Sequence, residues 1–149
     1  MNPSAQSAPT ELIRLADAVQ SVSVRLRSTE PSREDGGVRY YAAEVVVTSG
    51  FVNGTVYLGF DSEDVLDWGR LLDAVEEVEQ EGGLTEPFAA DWPRSGETAY
   101  LRLFIEDPYV VEVHDGFSTQ IVVSIPLMLR EDWIAESRQR LAEVRRALG

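Results

Sequence analysis

Carboxylates are the residues of this chain that could carry chemistry. Asp61, Glu63, Asp64 and Asp67 form one group, and Glu76, Glu77, Glu79 and Glu81 form another. Two carboxylates facing each other across a sugar ring would suit glycoside hydrolysis, but counting singles out no such pair. A calcium loop of the form D-x-D-x-D-G is absent. The first group has a structural task. Asp61 is a good N-cap, Asp64 follows three residues later, and Glu63 falls in a first helical turn, where the helix dipole favours acids. The second group has no such task. It falls at the end of the same helix, where the dipole disfavours each exposed acid by a few tenths to about 1 kcal/mol. These acids are either a solvated face or a surface for a basic partner.

Other catalytic chemistry finds little support. His114 is the single histidine, and its neighbour Asp115 faces the other way on a strand. With no G-x-S-x-G elbow, no Ser-His-Asp arrangement is indicated, and His114 reads as a surface or cross-strand residue. One histidine and no cysteine cannot supply the three or four ligands of a zinc site. Neither G-x-G-x-x-G nor G-K-[ST] occurs, so no phosphate cradle is indicated. The sequence therefore predicts no catalytic, cofactor or metal residue. Trp68, Trp92 and Trp133 are core candidates. Trp92 lies in a proline-containing stretch, and in an exposed position it would anchor an interface.

The charge balance points to partners by exclusion. There are 26 acids against 13 bases, all of them arginine, for a net charge of −13. Phosphate backbones and anionic membranes repel such a surface, so neither nucleic acid nor membrane is expected as a partner. A basic protein would be attracted and steered. Residues 1–10 have no basic n-region and no apolar h-region. They read as a disordered lead-in to a single domain over 11–149, not as a signal peptide. Without cysteines, and with no run of apolar residues long enough to cross a membrane, a cytoplasmic setting is expected.

The elements that must position these groups follow from periodicity. Residues 11–15 read as a short strand. Val22, Val24 and Leu26 alternate with polar neighbours, the signature of a half-buried strand. Residues 29–37 collect turn formers and charge, and predict a loop. Residues 38–49 are β-type, and the Gly50 and Asn53-Gly54 signals predict a hairpin into Val56, Leu58 and Phe60. Val65, Trp68, Leu71, Leu72, Val75 and Val78 then make one helical stripe at about 100° per residue. Gly82-Gly83 stops that helix. Residues 84–97 predict a loop with a short edge strand. Strands follow over 98–106, 109–114 and 117–127, the last with Ile121, Val123 and Ile125 facing inward and Pro126 at its end or on an edge. Trp133, Ile134, Leu141, Val144 and Leu148 mark a final helix over 130–148.

The two halves echo one another. At an offset of 66, Val45, Val47, Gly50 and Phe51 lie on Val111, Val113, Gly116 and Phe117; Trp68 and Trp133 correspond at an offset of 65. Chance similarity of two glycine-turn hairpins is one reading. The other is two βββα units sharing one antiparallel sheet. In either case the class is α+β: antiparallel sheet of about 6–7 strands with two amphipathic helices.

The order ELIRLADAVQSVSVRLR, then AEVVVTSGFVNGTVYLGF, then SEDVLDWGRLLDAV, then VEVHDGFSTQIVVSIPL and a closing helix resembles an actinobacterial domain family of unknown function. More remotely, Gly50, Phe51, Gly54, Ser62, Val65 and Leu66 resemble the strand-turn and strand-helix junctions of WapI-type immunity proteins, which neutralise polymorphic toxins. These motifs are structural and carry over no catalytic residue. The resemblance implies an immunity-type inhibitor that binds a basic toxin or enzyme. The surface expected to do so comprises Asp73, Glu76, Glu77, Glu79 and Glu81 with Glu86, Asp91 and Trp92 from the adjoining loop. Two alternatives stand beside it: a small-molecule or enzymatic pocket between sheet and helices, and a structural module dimerising through a strand edge.

Overall fold

A computed structural model describes residues 10–81, 88–94, 98–116 and 119–149. In chain order its elements are β1 (Glu11–Ala16), β2 (Ser21–Leu26), β3 (Arg33–Asp35), β4 (Val38–Thr48), β5 (Asn53–Asp61), α1 (Ser62–Gln80), β6 (Phe88–Trp92), β7 (Tyr100–Ile105), β8 (Tyr109–His114), β9 (Val122–Leu127) and α2 (Trp133–Leu148). The fold is α+β, with antiparallel pairing throughout.

The strands form two sheets, not one shared sheet. The first has five strands and the second four, in the order β6-β7-β8-β9. Each sheet is followed in the chain by one helix, so the halves are a five-stranded unit with α1 and a four-stranded unit with α2. The echo survives in altered form. Hairpins β4–β5 and β8–β9 each precede a helix, and Val45, Val47, Val111 and Val113 are all buried.

The first sheet is built on β4. Strand β5 pairs with one edge of it from Tyr40 to Thr48. The other edge is shared in succession by β2, against Ala43–Thr48, and by β3, against Val38–Tyr40. Strand β3 lies in the stretch expected to be loop. Gly36 and Gly37 have φ of 59° and 83°, the left-handed pair that a tight two-residue hairpin requires. Those glycines let Arg33–Asp35 fold back on β4. Alternation holds elsewhere: Val22, Val24, Leu26, Tyr41, Ala43, Val45, Leu58 and Phe60 all face the core.

In the second sheet, Leu101, Leu103, Val111, Val113, Ile125 and Leu127 turn inward. Ile121 does not, and is 61% exposed. The backbone at Gln120 has φ of 61°, which breaks the alternation before β9 begins at Val122. Pro126 lies on β9, an edge strand, as its missing N–H requires.

Helix α1 rests on β4, β5 and β6, and α2 on β1 and α1. An aromatic seam joins the halves. Tyr41 stacks on Phe60 at 5.4 Å, Phe60 meets Trp92 at 5.8 Å, and Trp92 meets Trp68 at 6.2 Å. These four rings come from β4, β5, β6 and α1, so one core serves both sheets. The expected helix stop at Gly82-Gly83, Phe117 of the echo and the lead-in over 1–9 lie outside the described residues. No helix among the described residues is long and apolar enough to cross a membrane.

Candidate functional site

The acids at the end of α1 owe their setting to α2. The helices run antiparallel: Trp133, at the start of α2, meets Glu79, near the end of α1, whereas Leu141 approaches Gly69. Arg138 donates to Glu76 at 2.9 Å and to Asp73 at 2.8 Å. Hydrogen bonds to Glu76 and then Asp73 outweigh its slight desolvation and hold the Arg138 guanidinium more firmly charged than usual. The Trp133 indole N–H donates to Glu79 at 3.3 Å.

This pairing accounts for the acids that α1 alone disfavours. The negative end of α1 lies beside the positive end of α2, and one arginine bridges two of the carboxylates. The helix dipole that matters locally is therefore not only the helix's own. Glu77 and Glu81 remain exposed, and neither forms an ion pair among the described residues. Glu131 and Glu136, around the start of α2, are likewise exposed and without an ion pair among the described residues.

The beginning of α1 is tightly bound. The Asp61 carboxylate accepts from Asp64 N–H at 2.9 Å, and the Asp64 carboxylate accepts from Asp61 N–H at 2.9 Å, so each caps the other. Asp64 is 2% exposed and also accepts from the backbone of Arg94 at 3.2 Å.

In the loop part of the expected surface, one residue is buried. Trp92 is not a partner anchor: it is 1% exposed, the last residue of β6, and its indole N–H donates to the Asp64 carbonyl at 2.7 Å. A strand that alternates inward carries it into the aromatic seam, and the backbone of α1 satisfies its one polar atom. Asp91, its neighbour on the opposite face of β6, is held by Arg102 through a two-pronged pair at 2.7 and 3.0 Å. The Asp91 hydrogen bond first, and its charge second, raise the Arg102 proton affinity above the usual arginine value. Glu86 lies outside the described residues.

His114 is a cross-strand residue. It stacks on Tyr100 with ring centroids 4.4 Å apart and lies 2.9 Å from a Glu112 carboxylate oxygen. Tyr100, Arg102, Glu112, His114 and Asp91 share the outer face of the second sheet by register. The cross-strand pairs were not legible beforehand, since register between β6, β7 and β8 depends on loops whose geometry the sequence leaves open. No group of three or more histidine, cysteine or carboxylate residues suited to a metal ion occurs among the described residues.

A model of a family of unknown function, DUF5959, matches residues 10–149, nearly the whole chain. The chain belongs to that family. Searches of the curated proteins and of the solved structures return no match.

Proposed function

We propose that this chain is a protein-interaction module that docks a basic partner on the acidic end of its antiparallel helix pair. The observation that carries this reading is the division of the acids by α2. Asp73 and Glu76 share the single positive charge of Arg138, while Glu77 and Glu81 stay exposed without an ion pair among the described residues, at the helix-pair end that also carries Glu131. Exposed like charges in one region raise the encounter rate of an oppositely charged protein and reject acidic ones. The partner class is a basic globular protein. The resemblance of the strand-turn-helix junctions to WapI-type immunity proteins supports a finer version, in which the partner is a toxin and docking occludes its active site. In that version the setting is the cytoplasm of the producing cell, and the wider family is actinobacterial.

The test is to capture the partner with the chain as bait, identify it, and measure its affinity for purified variants. Glu77→Gln, Glu81→Gln and Glu131→Gln combined should weaken binding at least about tenfold and flatten the salt dependence of association. Asp73→Asn should leave affinity within about twofold, because that carboxylate is committed to Arg138. An unchanged affinity in the triple variant overturns the reading. A captured toxin whose activity the chain does not inhibit overturns the finer version alone.

A further inference from the structure

At the opposite end of the helix pair the last turn of α2 is basic, with Arg145 and Arg146. There the start of α1, the last turns of α2 and the β3–β4 hairpin border an open cleft of about 700 Å³. Three arginines line it: Arg39 from β4, and Arg145 and Arg146 from α2. Glu34 is the one acidic side chain among the described lining residues, and its carboxylate lies 3.8 Å from Arg39 Nε. Arg14, Arg25, Arg27, Arg70, Arg102 and Arg138 all meet carboxylates, whereas Arg33, Arg94 and Arg140, like Arg145 and Arg146, form no ion pair among the described residues.

The remaining lining is apolar. Tyr41 and Val65 are buried at its floor, and Leu66 is 43% exposed beside them. Arg39 is held at the cleft from two sides. Its backbone N–H donates to the Ser62 hydroxyl at 3.2 Å, and its guanidinium donates to the Leu148 carbonyl at 3.5 Å. Three guanidinium groups thus border one cleft, and a planar guanidinium fork is shaped to bind a carboxylate or phosphate. A cleft of this size with an apolar floor and a few convergent charged groups has the dimensions of a small-molecule site.

We propose that this cleft binds a small amphipathic oxyanion. Its carboxylate or phosphate head sits among Arg39, Arg145 and Arg146, and its apolar body lies on Tyr41, Val65 and Leu66. The site is remote from the acidic end of the helix pair and does not depend on the protein-docking reading.

Calorimetric titration of the full chain with 1-naphthyl phosphate, 1-naphthoate and inorganic phosphate tests it. At least one naphthyl anion should bind saturably at one site, at least about tenfold tighter than inorganic phosphate, and the tighter of the two identifies the preferred head group. Arg145→Gln with Arg146→Gln should weaken that binding at least about tenfold while the chain stays folded, with thermal unfolding lowered only by the modest loss of two helix-dipole contacts, since both side chains are exposed. Leu66→Ser should lower naphthyl affinity towards that of inorganic phosphate. The proposal is overturned if neither naphthyl anion binds below about 10 mM, or if the double arginine variant binds as tightly as the parent chain.

Discussion

Asp64 offers the most demanding test of how the two halves are joined. It sits in the first turn of α1, 2% exposed, and its carboxylate accepts from Asp61 N–H in its own half and from Arg94 N–H just beyond β6. Asp64→Ala leaves at least these two N–H donors without their acceptor. A buried donor left without a partner costs about 1–3 kcal/mol; both donors here are only partly buried and regain some water, so about 1 kcal/mol each is the working figure. Loss of a negative charge from the first helical turn adds about 0.5–1 kcal/mol. The sum is about 3 kcal/mol, a large share of the 5–15 kcal/mol typical of a domain. With a urea m-value of about 2 kcal/mol/M, the unfolding midpoint should fall by about 1.5 M. Asp61→Ala, which removes only the N-cap, should cost about 1 kcal/mol. The reasoning is refuted if Asp64→Ala moves the midpoint by less than about 0.3 M, or if the two variants cost the same, for then the arm to Arg94 contributes nothing.

Two further outcomes can be checked by thermal unfolding. Burial is the largest single influence and raises the Asp17 pKa, but N–H donors from Met128, Gln20 and Val19 together outweigh it and hold the carboxyl below the usual aspartate value. A depressed folded-state pKa contributes stability that is present above the unfolded value, near pH 3.9, and is lost as pH falls through the folded one. Asp17→Asn should therefore unfold about 3 °C below the parent chain at pH 7, with the gap closing below about pH 4. A gap that widens in acid contradicts the assignment. Arg138→Gln removes both pairs to α1, whose side chains are 38–72% exposed, so screening limits the loss to about 1 kcal/mol. That loss should shrink by half or more in 1 M salt, whereas a salt-independent loss would indicate packing of the arginine stem instead.

Much of this architecture is local and could be read from the chain. Period-two alternation placed β2, β4, β5 and β7, flanking turns placed β8, and a 3.6-residue stripe placed α1 and α2. Asp61 announced the start of α1 because a cap is a contact between near neighbours. The α+β class followed from those elements alone. What the chain could not show was which distant elements meet. Strand β3 depended on two glycines adopting left-handed backbone, and Ile121 left the core because Gln120 did the same; both are single-residue choices that alternation does not register.

The site shows the same division. Sequence identified the acids of α1 and the opposite charge at the end of α2, for charge is a property of the residue. Tertiary structure decided their fate. The antiparallel packing of α1 on α2 assigned Asp73 and Glu76 to Arg138, sixty-odd residues away, and left Glu77 and Glu81 to solvent. It brought Arg39 to Arg145 and Arg146 to form a basic cleft that no local pattern contains. The second sheet turned Trp92 from a loop residue into the centre of the aromatic seam. In each case the deciding energy is burial or pairing between residues far apart in sequence, which exists only once the chain has folded.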